Sequence, residues 1–264
     1  MRFFFIAVLA LLVVVSCNTT NRAPEFVTFK TIPHSEVHPQ SKEDFLNENH
    51  AGAVEGKYPL LDSLIVLQNL YFAEKEKYSL TQYRQYWEAF REETGSRKLS
   101  EDEIYTWIDL TGFLFQLTAD ATVAEELQRI ARHELFRENS MLRDSMIMPY
   151  ALTRHTDNVH VNLFLPASIS FEHSLGGKVS ISQKSNFPES GEIKIVFGME
   201  TKQYIELYVR IPSWANNAAI TVKGVKYLTQ PGSYTKIAKK WKEGDEVEIS
   251  IPMIHVPPYL TPER

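Results

Sequence analysis

The hydrophobic period of this 264-residue chain changes once, and that change limits what it can fold into. Up to about residue 148 apolar side chains recur at helical spacing, and from Asn158 they alternate. Spacings of 3 and 4 give a helix one dry stripe, whereas alternation gives a strand one dry and one wet face. The clearest strand has Ile205, Leu207, Val209 and Ile211 alternating with Glu206, Tyr208 and Arg210. Pro212 ends it, because proline cannot donate to a ladder. A second run, Ile220 and Val222, stops at Lys223-Gly224, and a third surrounds Tyr234 and Ile237. Glu243-Gly244-Asp245 then turns the chain into Val247, Ile249 and Ile251. Upstream, Val161, Leu163 and Leu165 alternate with Asn162 and Phe164, and Gly176-Gly177 separates this strand from Val179 and Ile181. Phe187-Pro188 leads to Ile193, Ile195 and Phe197. The spacing predicts an antiparallel β-sandwich, jelly-roll-like, over 149–264.

The helical part occupies 58–148. Ser79 with Gln82 reads as a capping box before Tyr83, Tyr86, Trp87 and Phe90, and Gly95 stops that helix. Ser100 with Glu103 opens a second, whose apolar positions from Ile104 to Leu117 nearly encircle it, so it must be buried on most sides. After Thr118-Ala119-Asp120 a third carries Val123, Leu127, Ile130 and Leu135. With the stretch Leu60 to Phe72 this makes about four helices. The fold class expected is therefore α+β and multidomain.

The N-terminus reads as an address. Arg2 precedes an apolar run from Phe3 to Val15, shorter than the ~20 residues needed to cross a bilayer. Val14-Val15-Ser16-Cys17 resembles a bacterial lipobox, which assigns 1–17 to a lipoprotein signal peptide and makes Cys17 the lipidation site. Residues 18–57 then form a tether, and the chain is expected in the bacterial cell envelope, lipid-anchored to the outer membrane. His34, His38 and His50 fall in that tether at irregular spacing, which fits solvated histidines and not a metal site. A net charge of −5, a pI near 5.9 and the absence of a Lys/Arg run exclude a nucleic-acid footprint.

The order of punctuation is more specific than the period. Leu207-x-Val209-Arg210-Ile211-Pro212-Ser213-Trp214-Ala215, then Val222-x-Gly224, Gly232-x-Tyr234 and Trp241-Lys242-x-Gly244-Asp245 resemble the β-sandwich of glycoside hydrolase family 127, the β-L-arabinofuranosidase-like enzymes. Upstream, Trp107-Ile108-Asp109-Leu110-Thr111-Gly112 through Leu117-Thr118-Ala119-Asp120 to Ala124-Glu125-Glu126-Leu127 looks like that family's penultimate barrel helices, where an Ala-Asp-x-Leu-Glu helix recurs. The resemblance implies a partial (α/α)-barrel-type segment followed by the sandwich. Ala119 departs from the family's glycine at its turn.

The same resemblance implies a retaining mechanism with a cysteine nucleophile held in a cysteine-rich zinc site, and a glutamate as acid/base. A Glu-x-Cys pair is expected shortly before the residue matching Trp107, where this chain has Ser100, Glu101, Asp102 and Glu103. A Cys-Cys pair is expected before the sandwich, where it runs from Arg137 to Asn158 through Met141, Met146 and Met148. Cys17 is the only cysteine, so no disulfide, zinc-thiolate site or cysteine nucleophile can form from residues 18–264. No zinc or other cofactor is therefore expected.

Carboxylates offer a weaker substitute. Glu101, Asp102 and Glu103 are consecutive and point in different directions on a helix, as acids of a first turn do. Arg154, His155 and Asp157 contain a potential base and orienter but no nucleophile, as a polar connecting loop would. Tyr208 on a wet face, and Trp214 and Trp241 at turns, could stack on sugars, although the two tryptophans match positions remote from catalysis, which favours packing. The function expected is a catalytically incomplete carbohydrate-active lipoprotein that binds or scaffolds a plant-type or arabinose-containing glycan. Two alternatives stay open: a glycosidase using carboxylates or completed by a partner chain over the exposed helices, and a non-functional gene fragment.

Overall fold

The computed structural model describes residues 59–74, 78–95, 98–132, 143, 145–254 and 256–260. Cys17, the signal peptide, His34, His38, His50 and Leu135 lie outside the described residues. No described helix is long and apolar enough to cross a membrane.

Four helices are described: α1 (Pro59–Glu74), α2 (Tyr78–Thr94), α3 (Glu101–Thr118) and α4 (Ala121–Ile130). The second capping box forms as expected: the Glu103 N–H donates to Ser100 Oγ at 3.4 Å, and the Ser100 N–H donates to Glu103 Oε2 at 2.8 Å. The first expected one does not, because α2 begins at Tyr78 and Ser79 lies inside it. α3 is the hub. Its Trp107 stacks on Trp87 of α2, centroids 5.6 Å apart, and Tyr83 donates to the Leu110 carbonyl at 2.8 Å. Gly112 is where Tyr150 crosses the helix; a Cβ there would lie 2.0 Å from the tyrosine hydroxyl.

α3 ends on Ala119 in the left-handed region, φ 50° and ψ 31°, its N–H donating to the Phe115 carbonyl at 2.8 Å. Asp120 caps α4 at once by accepting from the Thr122 N–H at 2.7 Å, and Arg84 reaches the same carboxylate at 2.8 Å. Burial raises the Asp120 pKa, but these bonds outweigh it and hold the group below its ordinary value. The turn thus places a residue that has a Cβ in the left-handed region, at a cost in strain.

Ten strands follow. β1 (Leu152–His155), β2 (Asn158–Val161), β6 (Gln203–Ile211) and β9 (Ser233–Trp241) form one sheet in the order β1-β2-β6-β9. β3 (Ala167–Glu172), β4 (Lys178–Ser185), β5 (Glu192–Met199), β7 (Ala219–Val222), β8 (Val225–Tyr227) and β10 (Glu246–Ser250) form the other, in the order β3-β4-β5-β10-β7-β8. Pairing is antiparallel except between β2 and β6, where Val159 lies against Leu207 and His160 against Tyr208 in a parallel register. Lys223-Gly224 has φ of 51° and 81° at its two residues, the positive pair that a two-residue hairpin demands.

Three strands are not signalled by the period: β1, β3 and β8. Arg154 and His155 lie in β1 and Asp157 in the turn after it, so the expected connecting loop is partly strand. The expected strand through Leu165 stops at Val161. Residues 161–165 are all buried, since they pass between two cores: Leu163 and Leu165 pack with the helices, Phe164 with the sandwich. The backbone of this passage is held partly by the Ala151 carbonyl, which accepts from the Asn162 and Leu163 N–H groups at 3.0 and 3.3 Å, and otherwise by side chains. Gln183 donates to the Leu163 and Leu165 carbonyls, Gln128 of α4 accepts from the Phe164 N–H at 2.7 Å, and Arg210 Nε donates to the Asn162 carbonyl at 2.5 Å. Buried polar backbone must find partners, and here no ladder supplies them.

Candidate functional site

Strand β6 carries Tyr204, Glu206, Tyr208 and Arg210 on the face turned away from the sandwich core, and this row is the candidate site. At one end Glu206 gathers three donors: Tyr208 at 2.8 Å, Tyr204 at 3.3 Å and Lys236 at 2.6 Å. Burial raises its pKa, but the bonds from Lys236 and Tyr208 prevail and keep it below the usual carboxylate value. Tyr208 is flanked on both sides. Its ring lies parallel to His160 at 4.5 Å, with Lys236 Nζ 5.6 Å from its centroid. Burial, then the proximity of His155, pushes the His160 imidazole down to about 4, so it is neutral at pH 7.

At the other end Arg210 is 1% exposed, with its guanidinium 5.0 Å from the Phe164 ring. Both Nη nitrogens lack a hydrogen-bond partner. Burial lowers its pKa, opposed by Glu125, Tyr234 and Tyr259. Those neighbours are engaged elsewhere: Glu125 of α4 accepts from the Ser213 N–H and Oγ, both at 2.9 Å, and Tyr234 donates to Asn162 Oδ1 at 2.7 Å. Glu125 thereby ties α4 to the Pro212-Ser213-Trp214 turn.

The aromatic candidates separate. Trp241 is fully buried at the end of β9, stacked on Phe197 at 4.0 Å and donating to the Ile205 carbonyl at 3.0 Å, so it offers no face to a sugar. Trp214 is half-buried near Phe187 at 6.3 Å and donates to the Tyr259 hydroxyl. Tyr208 has both faces occupied. Tyr204, which alternation alone does not single out, is 46% exposed.

Asp157 has a structural task. It accepts from the Ser174 N–H at 3.0 Å and from the Ser174 hydroxyl, and lies 3.6 Å from His173. The Leu175 N–H donates to His173 Nδ1 at 3.1 Å, which leaves Nε2 to donate to the Tyr204 carbonyl at 3.0 Å. Neither ring nitrogen is free to act as a base. Glu101 and Asp102 are exposed at the start of α3, and Glu103 is spent in the capping box. No group of three or more His, Cys, Asp or Glu among the described residues could hold a metal ion, and with no cysteine after Cys17 the donor set does not fit a cysteine-bound zinc.

Comparison with known proteins bears on the origin of this sandwich. No curated protein matches the chain. Similar solved structures include a β-L-arabinofuranosidase of family 127 from Geobacillus stearothermophilus, with 20% identity over 60% of this chain and 32% of that one and a TM-score of 0.45. A β-arabinofuranosidase of the same family has 20% identity over 59% and 34%, with a TM-score of 0.48, and a glycoside hydrolase has 17% over 56% and 32%, with a TM-score of 0.45. The chain spans about a third of the length of these structures. Residues 158–253 match the family model described as "Beta-L-arabinofuranosidase, GH127 middle domain". The segment from Asn158 to Met253, which begins with β2 and runs just past β10, is therefore similar to the middle domain of glycoside hydrolase family 127.

Proposed function

We infer that this chain is a catalytically incomplete relative of the family 127 glycosidases that binds or scaffolds an arabinose-containing glycan at a bacterial envelope, anchored through Cys17. One observation carries the reading: a segment similar to a domain of this family occurs in a chain whose only cysteine lies at position 17, just after the apolar run from Phe3 to Val15. Nucleophilic attack by a thiolate needs a cysteine near the substrate, and residues 18–264 supply none. Two of the acids that could stand in for it have structural partners. Glycosidase chemistry by carboxylates uses two acids facing each other about 5–9.5 Å apart, whereas Glu103 and Asp157 are bound in a cap and a turn.

A glycan array probed with the purified full-length chain, with zinc measured in parallel, tests this. Glycan binding without bound zinc and without turnover is the expected result. Release of arabinose from a β-L-arabinofuranoside, abolished by a chelator, would overturn it.

A further inference from the structure

Same-face positions along β6 lie about 7 Å apart, so Tyr204, Glu206 and Tyr208 form a short ladder whose hydroxyls converge on one carboxylate. Tyr208 is closed off by His160 and Lys236. Tyr204 is open: it is the only aromatic among the exposed large hydrophobic residues described. The turn carrying Leu175, 84% exposed, is tied to the start of β6, because Gln203 Nε2 donates to the Gly176 carbonyl at 2.8 Å and His173 donates to the Tyr204 carbonyl. On the facing strand Lys240 lies directly opposite Tyr204.

We propose that Tyr204 and Glu206 form a sugar subsite, in which the C–H face of one glycan ring lies on the Tyr204 ring and a hydroxyl of that ring donates to Glu206. The proposal rests on the glycan-binding reading above and gives it a place. A carboxylate offers about four lone-pair directions; Tyr204 and Lys236 meet Oε1 and Tyr208 meets Oε2, leaving one acceptor direction on Oε2. The bond to Glu206 holds the Tyr204 ring in place before a ligand arrives, which lowers the ordering cost of binding. An apolar face bordered by a charged acceptor and a lysine donor suits a neutral, hydroxyl-rich ring better than a lipid or an apolar peptide.

The test is calorimetric titration of the full-length chain, in detergent, with arabinofuranosyl oligosaccharides. Y204A is expected to weaken binding about tenfold or more, Y204F by about two- to threefold because the ring remains but loses the bond that holds it, and E206Q by a few-fold. Melting temperatures within a degree or so of the unsubstituted chain would show that Y204A and Y204F are folded. Undiminished binding by Y204A would overturn the subsite and leave the glycan reading standing. No binding by the unsubstituted chain would overturn both.

Discussion

Tyr204 and Arg210 occupy the same face of one strand and have opposite fates. Tyr204 is 46% exposed with its hydroxyl on Glu206, whereas Arg210 is 1% exposed with two nitrogens unpartnered. Alternation assigns both to the wet side, since each is an even step from Glu206. The difference lies in what covers them. At Arg210, Phe164 lies against the guanidinium and the acid of Glu125 on α4 and the hydroxyl of Tyr259 stand near, so a nominally solvent-facing arginine becomes interior. A sheet face is therefore not one environment, and an exposed ring at one end and a costly buried charge at the other call for different explanations.

Four substitutions or conditions break or sharpen that contrast. Glu125→Ala removes both bonds to Ser213 and the nearest acid to Arg210, leaving a buried charge less compensated. A loss of about 3 kcal/mol is expected, read as a lower midpoint in urea unfolding. A loss below about 0.5 kcal/mol would place this pair with ordinary surface contacts.

Acid should act midway along the row. His160 has its folded pKa pushed from 6.5 to about 4, so the unfolded chain binds more protons between these values. Its contribution is fully present above pH 6.5 and is lost as pH falls towards 4, with a limit of about 3 kcal/mol. Melting followed from pH 7 to pH 4.5 should show this slope, and His160→Phe, which keeps a ring against Tyr208, should flatten it.

Ala119→Gly acts on the turn that delivers α4 to the covered end. With φ at 50°, removing the Cβ should raise stability by about 0.5–1 kcal/mol, the strain relief being partly offset by a freer unfolded chain. Thermal unfolding of the variant reads the sign directly. Smallest is Tyr204→Ala, expected to change stability by less than about 0.5 kcal/mol because the ring is half in water; a larger loss would mean that Tyr204 packs as the covered end does.

Much of the architecture is legible in the residues. The Ser100 and Glu103 spacing produces its cap, Pro212 ends β6, and the Lys223-Gly224 pair makes a tight hairpin, since each depends on atoms only a few residues apart. The burial of α3 on most sides follows from an apolar surface too wide for one contact. Ser79 misleads because a helix can begin ahead of a plausible cap. The passage from Val161 to Leu165 misleads because it is buried on both sides, which erases the contrast that alternation needs. Of the aromatic candidates, Trp241 is turned inwards by stacking on Phe197, and Tyr204 is left out, since their positions relative to the turns carry no record of what packs above them.

By itself the sequence determined the two kinds of secondary structure, the order of helices before strands, and the absence of any cysteine that could serve as a nucleophile after Cys17. These are local patterns or matters of composition. Only the tertiary structure decided that β2 and β6 run parallel, that Arg210 is interior while Tyr204 is open, and that Glu125 joins α4 to the sandwich. Each is a meeting of segments far apart in the chain, selected by which surfaces can exclude water together, and no short window of residues contains both partners.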